Sequence, residues 1–407
     1  MASDVFPPPR RLLLGPGPSQ VHPRVLAAMA QPLVGHLDPA FIALMEETKR
    51  LLRQLFQTTN ELTIPISGTG SAGLEACIVN LVEPGDEIVI GVNGVFGTRL
   101  VDVATRAGAT VLKAEAPWGE AVPEEALAAA IARARRPKLV VLVHAETSTG
   151  VWQPLEEASH LAHHSGALFV VDCVTSLAGC PVEIDQIGID AAYSGTQKCL
   201  SCPPGLSPLT FGPRAVAALR ARTRPVQSWY LDLTMIEKYW GEERVYHHTA
   251  PISMNYALYE ALRLIMEEGL QARFRRHRLN HEALVAGLEA LGLAMAVAPG
   301  RRLWMLNSVR VPEGVDDLAV RRALLVEDQI EIGGGLGPLK GKTWRIGLMG
   351  ESSTAANVTT LLGALERLLP RHGMRVPPGA GVAAARRVYA AQELPAQRGT
   401  TAAASEG

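Results

Sequence analysis

The chain has 407 residues, of which 47% are hydrophobic and 19% charged, with a formal net charge of -1. That length supports a large domain plus a smaller one around a sizeable core. The charge balance lacks the basic excess of a nucleic-acid binder, and Gly, Pro or charged residues interrupt every apolar run before it reaches membrane-spanning length.

The opening MASDVFPPPR lacks the apolar centre of a signal peptide, and the closing ASEG is not a peroxisomal address. Along the first two-thirds, short apolar runs alternate with amphipathic segments. The predicted strands are EIVIG (87–91), TVLKA (110–114), KLVVLV (138–143), LFVV (168–171), DAAYS (190–194) and PLTFG (208–212). Continuous rather than alternating apolarity predicts a mostly parallel sheet covered by helices on both faces. Ligands of such sheets sit at the carboxyl ends of the strands, so the residues just after each run carry the most weight. From Ser253 a long helical stretch leads to a smaller α/β unit containing LNSVRVP, IEIGGG and TWRIGLMG. The predicted division is an N-terminal extension over 1–14, a large domain over 15–272 and a small domain over 273–376. The Pro-, Ala- and Gly-rich remainder, 377–407, reads as a disordered tail.

Several motifs admit competing readings. ISGTGSAGLEA carries a literal G-x-G-x-x-G at Gly68, Gly70 and Gly73 between a strand-like LTIPI and a helix. Amides at such a helix start suit an anion. A dinucleotide site wants an acid at the end of the next strand, where Asn93 stands instead. GGGLGPLKGKT has Leu336 where a phosphate-binding loop needs its first glycine, and a strand follows it, so it reads as a plain loop. Cys199 and Cys202 form a Cys-x-x-C, but no second pair completes a zinc site and prolines follow where a redox helix would run. They read as small packing residues. All five cysteines precede residue 203 and predict reduced thiols in a cytoplasm. No metal site is predicted.

The remaining chemistry shares one theme. Asp172 ends LFVVD, Lys198 follows DAAYS, Phe96 follows VNGV, and Arg345 lies inside an apolar strand, where a guanidinium is costly without an anion. An anion cradle, an acid, an amine, an aromatic plate and a buried arginine would together serve a cofactor aldehyde bearing a phosphate and a protonatable ring nitrogen.

At VVDCVTS and YSGTQKCLSCPPG the chain resembles the class V, fold-type I pyridoxal-phosphate aminotransferases, over about Leu12 to Pro370. The alanine–glyoxylate and serine–pyruvate branch is the nearest in pattern, through LLLGPGPS, GHLDPAF, SGTGSAGLEA, NGVFGTR, HAETSTGV, VYHHTAP and WRIGLMG. The resemblance implies a seven-stranded, mostly parallel sheet in the large domain, pyridoxal 5'-phosphate as cofactor, and a homodimer with shared active sites. It gives Lys198 the internal Schiff base and the proton shuttle, and Asp172 the pairing with the pyridinium nitrogen. Phe96 becomes the plate over the ring, where many relatives carry tryptophan. Thr69, Gly70, Ser71 and Gln197 become phosphate and cofactor contacts, with Thr147 beside the ring. Tyr246 and Thr249 reach across to the neighbouring subunit, Arg345 forks the substrate carboxylate, and Gly17 lines the substrate pocket, with His36 a further contributor to it. Cysteine desulfurases of this class need a nucleophilic cysteine in the C-terminal half, and none follows Cys202. The implied reaction is transamination from alanine or serine to glyoxylate or another small 2-oxo acid. Ureidoglycine or aminophosphonate donors are the alternatives within the class, and a nicotinamide oxidoreductase is the alternative outside it.

Overall fold

Seven strands build the central sheet of the computed structural model, which describes residues 7–393. They are β1 (Leu62–Ser67), β2 (Glu87–Val92), β3 (Thr110–Glu115), β4 (Pro137–Val143), β5 (Leu168–Asp172), β6 (Ala191–Tyr193) and β7 (Leu206–Phe211). Their order is β1-β7-β6-β5-β4-β2-β3. Only β7 runs against its neighbours. The carboxyl ends of the other six therefore share one edge. The continuous apolar runs follow from double burial: Leu139, Val141 and Val170 feed one core, Val140, Leu142 and Phe169 the other. Edge strand β3 leaves Thr110, Lys113 and Glu115 in solvent, a polar margin that discourages edge-to-edge pairing.

Two helices stand at the site edge, α1 (Gly70–Leu81) after β1 and α2 (Val95–Arg106) after β2. A long helix, α3 (Leu270–Ala290), leads into the small domain. There β8 (Leu306–Arg310), β9 (Gly333–Gly334) and β10 (Thr343–Gly347) form an antiparallel sheet in the order β8-β10-β9. Its core joins Trp344 and Ile346 to Leu361 and Leu365 of α4 (Ala355–Leu368).

The structure departs from the predicted division at three points. The end of the predicted 1–14 extension is docked on the small domain: Leu12 and Leu13 pair with Ile330 and Glu331, and Leu14 is fully buried in the small-domain core. The boundary at 272/273 falls inside α3, which faces the large domain at Arg273 and the small-domain core at Leu284 and Leu288. Residues 380–393, expected to be disordered, form a helix, α5 (Ala380–Glu393), with Ala385 fully buried and the Tyr389 hydroxyl donating to Asn280 Oδ1 at 2.8 Å. The low-complexity composition that suggested disorder is also Ala- and Arg-rich, which favours helix. Small residues then let α5 approach α3 closely, since a Cβ on Gly287 would lie 3.0 Å from the Gly381 carbonyl. The rest of the tail, 394–407, lies outside the described residues.

Arg273 ties the two domains to the loop that follows β6. It is 2% exposed, and it donates to the Cys199 carbonyl at 2.6 Å, the Ala178 carbonyl at 3.2 Å and Glu268 at 2.6 Å. Arg276 joins the same carboxylate and donates to the Gly350 and Ser353 carbonyls. Burial alone would raise the Glu268 carboxyl, but Arg276 and Arg273 overcome it and hold it at about 2. Glu268→Gln leaves a buried guanidinium without its counter-charge and should destabilise the fold by about 3 kcal/mol or more. Because the native pKa is depressed, this contribution is complete above the ordinary carboxylate range and disappears as pH falls through about 2. Urea denaturation should therefore show a large gap between wild type and variant at pH 7 that narrows in acid. An equal midpoint at pH 7 would contradict the assignment.

Candidate active site

The chain enters the site edge at five strand ends. β1 delivers Thr69, Gly70 and Ser71; β2 delivers Phe96; β4 delivers Thr147; β5 ends on Asp172; β6 delivers Gln197 and Lys198. All of these residues line one cavity of about 230 Å³. The chain adds β3 outside β2 and then returns to place β4 on the other side of it, so β2 and β4 flank the reversal of strand order. Open α/β sheets bind ligands at such a reversal.

At the first wall, no side chain caps α1, and its first turn holds no acid. Its leading amides and partial positive charge are thus offered to an anion. The glycine spacing there has a packing origin. A Cβ on Gly73 would lie 2.0 Å from Ser207 Oγ, so that glycine lets α1 settle on β7. Gln197 adds a side-chain amide whose Oε1 is buried without a partner. Turned over, the same amide presents a donor to an anion.

Asp172 is 4% exposed and accepts from the Val174 amide at 2.9 Å and the Tyr193 hydroxyl at 2.7 Å. Burial outweighs these donors and the nearby Lys198 and raises its carboxyl to about 6. Burial likewise lowers Lys198 to about 8, reinforced by the Arg345 charge. The Lys198 ammonium donates to the Pro16 carbonyl. Gly17 stands against it: a Cβ there would lie 2.6 Å from Nζ, at a φ of +110° that itself favours glycine. A buried acid thus carries a more basic carboxylate than usual, and a buried amine has a neutral fraction near pH 8. That combination suits a protonated ring nitrogen on one side and nucleophilic attack on a carbonyl on the other.

Arg345, 7% exposed, donates from Nε to the Gly334 carbonyl at 2.7 Å and from Nη1 to the Thr147 carbonyl at 3.1 Å. Both partners are carbonyls, so among the described residues its charge has no carboxylate partner, and its remaining N–H groups are left for one. Tyr246 and Thr249 are exposed and do not line this cavity; Tyr246 packs instead on His36, with ring centroids 5.2 Å apart. Cys199 and Cys202 are buried, and burial raises both thiols, Cys199 to about 12. A thiol held that far above neutrality is a poor nucleophile.

Two site residues had no role assigned from sequence. Tyr193 touches Asp172 because the parallel register of β5 and β6 sets them side by side. Arg99 lines the cavity with its guanidinium 4.9 Å from the Phe96 ring centroid. Both lie in motifs quoted for other residues, and only the sheet register and the turn of α2 bring them to the site.

The sequence profile of class-V aminotransferases matches residues 11–339. This chain belongs to the class-V aminotransferase family. The (S)-ureidoglycine–glyoxylate transaminase of Bacillus subtilis is 42% identical over 399 residues, covering 94% of this chain and 96% of that one. Alanine–glyoxylate aminotransferase of Felis catus is also 42% identical, over 89% of this chain and 88% of its own length. The crystal structure of a Nostoc alanine–glyoxylate aminotransferase superposes with a TM-score of 0.87 at 54% identity, covering 89% of this chain and 96% of that chain. That of the B. subtilis ureidoglycine–glyoxylate aminotransferase does so with a TM-score of 0.92 at 44% identity, covering 94% and 98%. This class-V aminotransferase uses pyridoxal 5'-phosphate, and the uncapped helix start, the raised acid and the lowered amine fit that group.

The acid's raised pKa carries a stability consequence for the cofactor-free enzyme. Between pH 3.8 and about 6 the native state holds the Asp172 proton more tightly than the unfolded chain does, so stability falls as pH rises through that window. Asp172→Asn removes the penalty. Cofactor-free variant protein should be more stable than wild type by about 3 kcal/mol at pH 8, with the gain nearly gone near pH 4. Urea denaturation at the two pH values measures this, and an equal effect at both would refute a raised native pKa.

Proposed function

We propose that this aminotransferase moves an amino group from alanine or serine to glyoxylate or another small 2-oxo acid. The observation that carries the reading is Arg345, a buried guanidinium bonded only to carbonyls, beside a cavity that holds Lys198 and Asp172. A small cavity and a single carboxylate clamp suit short amino and oxo acids, and glyoxylate is the acceptor for which the relatives are named.

Bound pyridoxal phosphate supplies an aldehyde that takes up the amino group and a ring that accepts the electron pair released at the substrate Cα. Thr69, Gly70 and Ser71 would hold the phosphate at the α1 start, with Gln197 alongside. Asp172, acceptor of two neutral donors, would hold the ring-nitrogen proton and keep the ring electron-withdrawing. Phe96 would offer its ring as a plate for one face of the cofactor, and Thr147, which lines the same cavity, would sit beside it. Lys198 Nζ would anchor the cofactor, and the same amine would take the proton from the substrate Cα and later return it. Arg345 fixes the carboxylate and thereby the Cα orientation, and Gly17 keeps the backbone close to the lysine amine.

We place Tyr246 and Thr249 at the phosphate of a second subunit in a homodimer. Their exposure on this chain supports that arrangement, as does the exposed apolar group of Leu33, Leu37, Trp229, Tyr230 and Val245 around them. A cytoplasmic setting accords with five buried cysteines, all free. Among the described residues no helix is long and apolar enough to cross a membrane.

Half-reactions followed by cofactor colour, one donor at a time, test the substrate reading. Alanine or serine should convert the cofactor fastest, and glyoxylate should restore it; faster conversion by ureidoglycine would move this chain to the other donor. Arg345→Lys replaces a planar fork with a point charge and should lower kcat/KM for donor and acceptor alike by roughly 30-fold, the loss of one charged hydrogen bond. Unchanged values would remove Arg345 from the site.

A further inference from the structure

Glu146 is fully buried beside the cavity, in the loop after β4, and no step described above uses it. Its surroundings show what it is built for. Helix α2 begins at Gly94, which has no side chain to cap it, and none other fits: a Cβ there would lie 2.4 Å from Glu146 Cδ. The first three amides of α2 therefore need acceptors from elsewhere in the chain. Glu146 Oε2 accepts from the Phe96 amide at 3.1 Å and the Gly97 amide at 3.3 Å, and Ser148 Oγ accepts from the Val95 amide at 2.9 Å. The Ser148 hydroxyl and its amide in turn donate to Glu146 Oε1.

Each of the four bonds that reach Glu146 uses the carboxylate as an acceptor. A proton on it would face only donors, so the ionised form is the one that fits. Burial, with the Asp172 charge, leaves its pKa raised on balance, while the bonds from Ser148 and Gly97 pull it partly back. The positive end of α2 adds a favourable field. The next residue, Thr147, offers its carbonyl to Arg345 Nη1. The segment 146–148 thus holds the start of the helix bearing Phe96 at one end and the carboxylate clamp at the other.

We propose that Glu146 is a positioning residue that sets the aromatic plate and the carboxylate clamp through a single buried carboxylate. It acts on Phe96 through the α2 amides and on Arg345 through the Thr147 carbonyl. This rests on the reading of Phe96 and Arg345 given above.

Glu146→Gln tests it with almost no change of shape. One end of the new amide is an NH2, which must face either the Ser148 donors or the Phe96 and Gly97 amides. In cofactor-free protein, hydrogen exchange at residues 95–97 should quicken roughly tenfold, a loss of about one hydrogen bond. The pyridoxal phosphate dissociation constant and the KM for the oxo acid should both rise severalfold. Ser148→Ala, which keeps the carboxylate but removes one link, should give a smaller change in the same direction, so the test survives a poorly folding Gln variant. Adding Glu146→Gln to Phe96→Ala should weaken cofactor binding little beyond Phe96→Ala alone, because the first substitution acts through the second residue.

Unchanged exchange at 95–97, or fully additive losses in the double variant, would overturn the proposal while leaving the site reading intact. If Phe96→Ala and Arg345→Lys alone changed neither cofactor affinity nor KM, the site reading itself would fall, and the positioning role with it.

Discussion

Keeping a buried amine and a buried carboxylic acid in one cavity is the constraint around which this structure is arranged. Both groups are penalised by burial, in opposite directions: the acid rises to about 6 and the amine falls to about 8. Each needs fixed partners that do not move with solvent. Asp172 has the Val174 amide and the Tyr193 hydroxyl, and Lys198 has the Pro16 carbonyl. Those partners come from the turn after β5, from strand β6 and from the N-terminal segment, whose preceding residues are docked on the small domain. The site therefore depends on the sheet register and on the docking of both domains together.

The buried arginines extend the same logic. Arg273 pins the carbonyl of the residue after the lysine, so the loop carrying Lys198 is fixed from the small-domain side by α3. Arg345 is held by two carbonyls and left with spare donors, an arrangement that is unfavourable until a carboxylate arrives. Glu146, enclosed among hydrogen-bond donors, is the nearby acid that favours the charged guanidinium. Asp172 and Arg345, both buried beside the Lys198 amine, are thus each held by main-chain groups. Such fixed dipoles need little reorganisation when charge moves during a reaction.

Much of this was legible in the sequence. Six of the seven strands read as continuous apolar runs because both faces of the sheet are covered, and Asp172, Lys198 and Phe96 follow directly from where those runs end. The Cys-x-x-C beside Lys198 was separable from real chemistry because nothing else in the chain completes it. What escaped is nonlocal. Tyr193 looks like an ordinary strand aromatic until β5 and β6 are set in register. Arg99 looks like a solvated charge on an amphipathic helix, and Glu146 acts on amides about 50 residues earlier in the chain. Composition misled at α5, where an Ala- and Arg-rich stretch that reads as low complexity packs a buried alanine against α3. The domain boundary was blurred for a similar reason: the helix that crosses it has no break to mark it.

Among the described residues that line the cavity, Lys198 carries the only amine, and the proposed mechanism puts the cofactor on it. Reducing the pyridoxal phosphate-loaded protein with borohydride, followed by peptide mass mapping, tests this directly. A single phosphopyridoxyl group per chain is expected, located on Lys198 and absent from Lys198→Ala. Stable label on another lysine, or no label on a protein that binds the cofactor, would contradict it.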